Sequence, residues 1–237
     1  MFLHQIFPWS SHSIRPNVCC EALGICVIIP RQSREITGRI DVNPFERQTK
    51  RCPWCGDAPD YQAYHDHVWG RPVYDARELF AKLCLDGQQA GLSWITILRK
   101  QAAYEAAFFH FEPARLAAIQ GTEREAFVAE QMTNAGIVRN RLKIQSIFRN
   151  ADAYMQMLHQ GIDFSEWLWA FVDGSPVENF PKTMADVPTE TDASRAMSKA
   201  LRKAGFNFVG PTICYAFMQA VGMVNDHLVD CDFKNGD

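Results

Sequence analysis

The chain has 237 residues, 47% of them hydrophobic, which is enough to bury a sizeable core in one large domain or in two lobes sharing a cleft. Its longest apolar run outside helical patterning, GICVII at 24 to 29, falls far short of the roughly 20 residues a membrane helix requires, so no span is expected. The formal net charge of −3 excludes a broad basic surface. Removing the six Lys/Arg and four Asp/Glu of residues 1–50 from totals of 24 and 27 leaves 18 basic and 23 acidic residues, so a nucleic-acid partner must be held by local features rather than by the overall field.

Residues 1–50 mix Pro, Ser, Arg and Cys without a sustained period, and they lack the basic start, apolar stretch and small-residue cleavage pattern of a secretory signal. They are expected to form a poorly ordered N-terminal extension to a domain spanning 51–237. The chain reads as cytoplasmic, and in a reducing compartment its eight irregularly spaced cysteines suggest free thiols or metal ligands rather than disulfides.

The domain opens on RCPWCGDAPDYQAYHDHVWG, residues 51–70, with two cysteines three apart, two histidines two apart and several aromatic residues. A redox thiol pair, a metal site and a binding pocket are all open readings of it. Helical periodicity begins at Asp75, an N-cap with Glu78 at N3, followed by Leu79, Phe80, Leu83 and Cys84 on one face. The loop LDGQQAGLSW carries Asp86, Gln88, Gln89, the apolar tip Leu92 and Trp94. With Trp54, Tyr61, Tyr64 and Trp69, the residues Trp94 and Asp86 would line an aromatic, negatively charged slot suited to a flat cation. A core aromatic cluster is the competing reading.

A helix is predicted from Ser93 to about Phe109, with further helical segments in EPARLAAIQ and EREAFVAEQM. The strongest pattern sets Ile144, Ile147, Phe148, Ala151, Tyr154, Met155 and Leu158 at three- and four-residue intervals, stopped by Gly161. FSEWLWAFV, TDASRAMSKALRKAG and PTICYAFMQAVG complete an all-α prediction, with no strand and no internal repeat. That removes the βαβ setting of a thioredoxin-like thiol pair.

Between the last two helices, Gly205 ends one and Gly210 with Pro211 begins the next, so the turn would present free N–H groups that suit a phosphate without Lys or Arg. An ordinary helical hairpin is the alternative. In NDHLVDC, His227 and Cys231 are four apart, which on a helix or its frayed end puts both side chains on one face. Joined to two donors from Cys52, Cys55, His65 and His67, they would make a closed tetrahedral Cys2His2 site, structural because no coordination position stays open.

The runs RCPW, YHDHVWG, LCLDGQQAGLSWITILRK, NAGIVRNRLKIQSIFRNADAY and SKALRKAGFNFVGPTICYAFMQAVGMVNDH, with Cys231, closely resemble the 3-methyladenine DNA glycosylase I family in register from about Arg51 to Cys231. The resemblance implies a two-lobed, all-helical glycosylase of the helix-hairpin-helix superfamily with one structural zinc. Its ligands fall on Cys52, His65, His227 and Cys231, leaving Cys55 and His67 as bystanders. Trp54, Tyr61, Tyr64 and Trp94 are similar to the family's base pocket, with Asp86 carrying catalysis. Leu92 looks like the wedge that replaces the extruded base, and the turn at Gly205 and Gly210 looks like the DNA-backbone clamp. Asp86 and Val68 each stand where the family usually has Glu.

The expected partner is alkylated double-stranded DNA, engaged by a monomer, with no membrane. The expected reaction is hydrolytic removal of cationic 3-methyladenine, leaving an abasic site. Asn225 aligns with the superfamily's catalytic Asp, Asp226 is expected to point elsewhere, and no Lys is obviously placed for a Schiff base, so lyase activity is not expected. A non-catalytic binder of alkylation damage is the alternative. A zinc deaminase would need an H-x-E motif together with a Pro-Cys-x-x-Cys run, and the chain has no Pro-Cys-x-x-Cys run.

Overall fold

The computed structural model describes residues 49–235, which lie within one compact unit, Arg47–Asp237. The expectation for residues 1–48 lies outside the described residues. At the boundary, Lys50 exchanges two hydrogen bonds with Asp232, its N–H donating to the carboxylate at 2.8 Å and its carbonyl accepting at 3.0 Å.

Ten α-helices are present among the described residues: α1 (Pro59–His67), α2 (Ala76–Gln89), α3 (Trp94–Leu98), α4 (Gln101–Ala107), α5 (Pro113–Ala118), α6 (Gly121–Gln131), α7 (Arg141–His159), α8 (Phe164–Trp169), α9 (Asp192–Lys203) and α10 (Pro211–Ala220). The all-α reading holds with one small exception. Strands β1 (Val177–Glu178) and β2 (Val224–Asn225) form a two-residue parallel pair, too short to leave any alternation in the sequence.

Helix α2 starts where its cap predicts, Asp75 accepting the Glu78 N–H at 2.9 Å. Leu79, Phe80, Leu83 and Cys84 are buried, and so are Leu85, Asp86, Gly87 and Gln88, because α7 and α10 both pack against this helix. Its C-terminal end is braced from α7: the Lys143 ammonium donates to the carbonyls of Gln88 and Ala90, both at 2.7 Å, and the Gln88 amide donates back to the Lys143 carbonyl at 3.0 Å. Gln88 is therefore a structural brace that fixes the loop carrying Leu92.

The single helix expected over 93–109 is two, α3 and α4, broken at Arg99 and Lys100, with a short 3-10 turn over Phe109–Phe111. Helix α7 buries Ile144, Ile147, Phe148 and Ala151 as its period demands. Its last turn departs from the reading: Met157 is buried and Leu158 is 52% exposed.

Helices α9 and α10 pack together. A capping box between Thr191 and Ser194 starts α9, and Ser194, Met197, Ser198 and Leu201 form its buried stripe. Gly205, at φ +102°, lets the chain reverse while the Phe206 N–H returns to the Leu201 carbonyl at 3.0 Å. Side chains then lock the turn: Asn150 accepts the Asn207 N–H at 2.8 Å, and the Ser198 hydroxyl donates to the Val209 carbonyl at 2.6 Å. Gly210 caps α10 and Pro211 opens it. No described helix is long and apolar enough to cross a membrane.

Candidate active site and metal centre

The opening stretch folds as a 3-10 turn over Pro53–Cys55 followed by α1, a helix that the sequence reading did not anticipate. On α1, successive side chains diverge by about 100° around the axis. Tyr64 and His65 therefore serve two different sites.

His65 meets Cys52 and Cys231, and one donor atom from each lies within 4.8 Å of the others in a fully buried group. The His65 Nδ1 lies 2.8 Å from Asp66, whose carboxylate also accepts a bidentate pair from Arg51 at 2.8 to 2.9 Å. That leaves His65 Nε2 for the cluster, 3.6 Å from the Cys231 sulfur. Cys231 is held low, chiefly by its contact with Cys52, whose own thiol is pushed up. One thiolate and one neighbouring thiol at bonding range suit a borderline-soft cation.

His227 lies against this group, its ring centroid 5.0 Å from that of His65. Its Nδ1 is 3.0 Å from Asn225 Oδ1, and its Nε2 is buried with no hydrogen-bond partner. Burial lowers its pKa to about 4, so the ring is neutral and able to act as a ligand. His227 is outside the group of three whose donor atoms lie within 4.8 Å of one another, but its buried, unpartnered imidazole nitrogen is of the kind that fits a fourth metal ligand. His227 and Cys231 are not on a helix, however: they follow β2 on irregular and turn backbone. Cys55 is outside the group, its thiol donating to the Cys52 carbonyl at 3.2 Å, and His67 is exposed. All five described cysteines are free, so there is no Cys52–Cys55 disulfide.

Trp54 separates this centre from a cavity of about 300 Å³. Its ring lies 5.2 Å from His65 on one side and 5.1 Å from Tyr61 on the other, edge-on to both. Trp54, Tyr61, Tyr64, Asp86 and Trp94 all line the cavity, as the sequence suggests, together with Trp69. Tyr61 and Tyr64 are near-parallel at 6.5 Å, and Tyr64 is 5.5 Å from Trp94. The rest of the wall includes Met184, Val187, Pro188 and Thr189 and, from α10, Thr212, Tyr215 and Gln219. Leu92, Gly205 and Gly210 are not part of the lining; Leu92 is 42% exposed at the tip between α2 and α3.

Two features of the cavity differ from the sequence reading. Lys82, one turn before Asp86 on α2, forms a short ion pair with its Oδ1, so the slot is not simply negative and a Lys does stand in the pocket. Asp226 does not point away: it lines the cavity, accepting hydrogen bonds from Tyr215 at 2.6 Å and from Gln219 and Asn179 at 2.8 Å. Asn225 turns instead toward His227. The i, i+4 spacing of Lys82 and Asp86 was the one signal that could have revealed the first of these.

Burial raises the Asp86 pKa and lowers that of Lys82, each partly offset by the other's charge. Burial, with the Asp86 charge second, raises Tyr64 well above its usual value, so the phenol stays protonated. Asp86 Oδ2 and Trp94 Nε1 are buried with no partner. An aromatic cavity with one free acceptor and one free donor is built to take a flat, polar ring.

A model of the methyladenine glycosylase family matches residues 54–235, and the chain belongs to that family. It is 47% identical to the DNA-3-methyladenine glycosylase of Haemophilus influenzae over 186 residues, 78% of this chain and 98% of the relative. To DNA-3-methyladenine glycosylase 1 of Escherichia coli it is 50% identical over 182 residues, 77% and 95% of the two chains. A crystal structure of 3-methyladenine DNA glycosylase I superposes with a TM-score of 0.75 at 50% identity, covering 77% of this chain and 98% of that one. A Staphylococcus aureus structure on the basis of 3-methyladenine recognition gives 0.74 at 38% identity, covering 78% and 96%.

Proposed function

We propose that this protein flips 3-methyladenine out of alkylated double-stranded DNA and hydrolyses its glycosidic bond, leaving an abasic site. The observation that carries the reading is the pairing of Asp86 Oδ2 and Trp94 Nε1, both buried and unpartnered, in an aromatic cavity of a chain from this family.

Alkylation at N3 leaves the base positively charged while still bound to deoxyribose, so the leaving group is already activated. The protein must extrude the nucleotide, at a cost of a few kcal/mol, and hold the cation while water attacks. Asp86 supplies the counter-charge, and Tyr61, Tyr64 and Trp94 supply flat surface. Asp226 is a poor general base because three donors already engage it. Lys82, tied as an ammonium to Asp86, is no nucleophile there, which supports a hydrolase without lyase activity.

The α9–α10 turn fits a helix-hairpin-helix clamp: its side-chain locks hold Gly205 to Gly210 rigid, and the first-turn N–H groups of α10 are available to a phosphate. Leu92, apolar and exposed beside the cavity's α2 wall, suits a wedge that fills the space of the flipped base. We assign a structural zinc to Cys52, His65, His227 and Cys231. Four protein ligands would close its coordination, so its contribution is to tie the chain's two ends together.

The test is release of free 3-methyladenine from methylated duplex by the wild type, Asp86→Asn and Asp86→Glu. Release by the wild type, a large loss in Asp86→Asn, and equal or better release in Asp86→Glu are expected, because the longer carboxylate reaches about 1.5 Å further. A wild type that binds methylated duplex and releases no base would establish a damage-binding protein instead. No strand cleavage should accompany release.

A further inference from the structure

The cavity already contains a cation. Lys82 Nζ sits 3.8 Å from the centroid of the Trp94 ring and forms a short ion pair with Asp86 Oδ1. The two groups that would recognise a charged purine, a carboxylate and an indole face, are thus both engaged from within the chain. Resting on the assignment of Asp86 and Trp94 to the base pocket, we propose that Lys82 is a specificity-determining residue. Its ammonium is a resident cation that a charged base must displace, and it sets how strongly the site prefers charged over uncharged lesions.

Charge counting around a buried carboxylate decides the preference. Asp86 is 1% exposed, and it supplies one negative charge. Asp226, across the cavity, is engaged by Tyr215, Gln219 and Asn179. A cationic base stacked on Trp94 beside the ammonium would place two positive charges on one carboxylate, and like charges repel strongly where water is scarce. A neutral base of the same shape meets no such repulsion. Lys82 therefore lowers the charge selectivity that a lone carboxylate would give, a repulsive element set against one class of ligand. Its side chain is 16% exposed on a flexible four-carbon stem, so it has a route toward solvent when a charged base enters. Asp86 Oδ2 has no partner within the chain, so it is the carboxylate oxygen left for a base's amino group.

The experiment compares two duplexes that differ in charge at constant shape. One carries 3-methyladenine on a 2′-fluorinated sugar, which slows hydrolysis; the other carries neutral 3-deaza-3-methyladenine. Affinities are measured for the wild type, Lys82→Met, Lys82→Gln and Lys82→Arg. The preference for the charged duplex should be weak in the wild type and in Lys82→Arg, and should rise by about tenfold or more in Lys82→Met and Lys82→Gln. The glutamine variant covers the case in which the methionine variant fails to fold. If both affinities shift together in the uncharged variants, Lys82 is merely cavity wall and the proposal is overturned while the pocket assignment stands. If no variant prefers either lesion over undamaged duplex, the pocket assignment itself fails and takes this inference with it.

Discussion

Asn225 Oδ1 lies 3.0 Å from His227 Nδ1, two residues along the same chain, and that contact fixes which nitrogen of the ring remains available. With Nδ1–H donated to Asn225, the lone pair sits on Nε2, the atom that is buried without a partner. Asn225 also donates to the Lys234 carbonyl at 2.9 Å, so its amide orientation is set by the backbone beyond the cluster.

Asn225→Leu should therefore weaken zinc binding by about 10–100-fold, the usual effect of losing an orienting partner. His227→Ala and Cys231→Ser should lose the metal outright, and Cys55→Ser should retain one zinc per chain. Chelator competition monitored by metal content measures all four. An unchanged affinity in Asn225→Leu would show that the ring is positioned by packing alone.

Gly70 lies under the same histidine. A Cβ built there would come within 2.8 Å of His227 Cε1, and the backbone sits at φ +77°, where side chains other than glycine are strained. Gly70→Ala should cost about 1–3 kcal/mol and lower metal affinity at the same time. Thermal unfolding with and without chelator separates the two effects; a stability loss with unchanged metal affinity would mean that the ring does not move.

The pH dependence of base release follows from Asp86. Burial raises its pKa above the usual carboxylate value, and Lys82 pulls it part of the way back. The ionised form attracts the cationic base, so activity is present above the folded pKa and lost as pH falls through it. The acid limb should therefore lie above the ordinary value of about 3.9. Lys82→Met removes the compensating charge and should move that limb to still higher pH. Single-turnover release, corrected for spontaneous depurination, records the profile; an acid limb that stays put in Lys82→Met would mean that Lys82 does not stabilise the carboxylate.

Much of the helical frame was legible because its signals are local. Asp75 with Glu78, the stripe of α7, Gly205 and the Gly210–Pro211 start of α10 each act within one or two turns, where capping and 3.6-residue periodicity operate. Where tertiary contacts override the local pattern, periodicity alone misplaces the element. The break at Arg99 and Lys100 and the burial of Met157 rather than Leu158 are both of that kind.

The site divides in the same way. The sequence alone determined which residue types were on offer: aromatic rings and a carboxylate for a flat cation, and soft donors at both ends of the domain for a metal. It could not say which way they face. Asp226 was expected to turn away, and it lines the cavity because Tyr215, Gln219 and Asn179 hold its carboxylate there, the last from 47 residues away. His227 comes against His65 from irregular backbone after β2 rather than along a helix, and Lys82 becomes a resident cation only because Trp94 and neighbouring helices bury its pairing with Asp86. Side-chain direction and burial come from packing between distant segments, and only the folded chain, which brings Cys52 to Cys231 and α2 to α10, decides them.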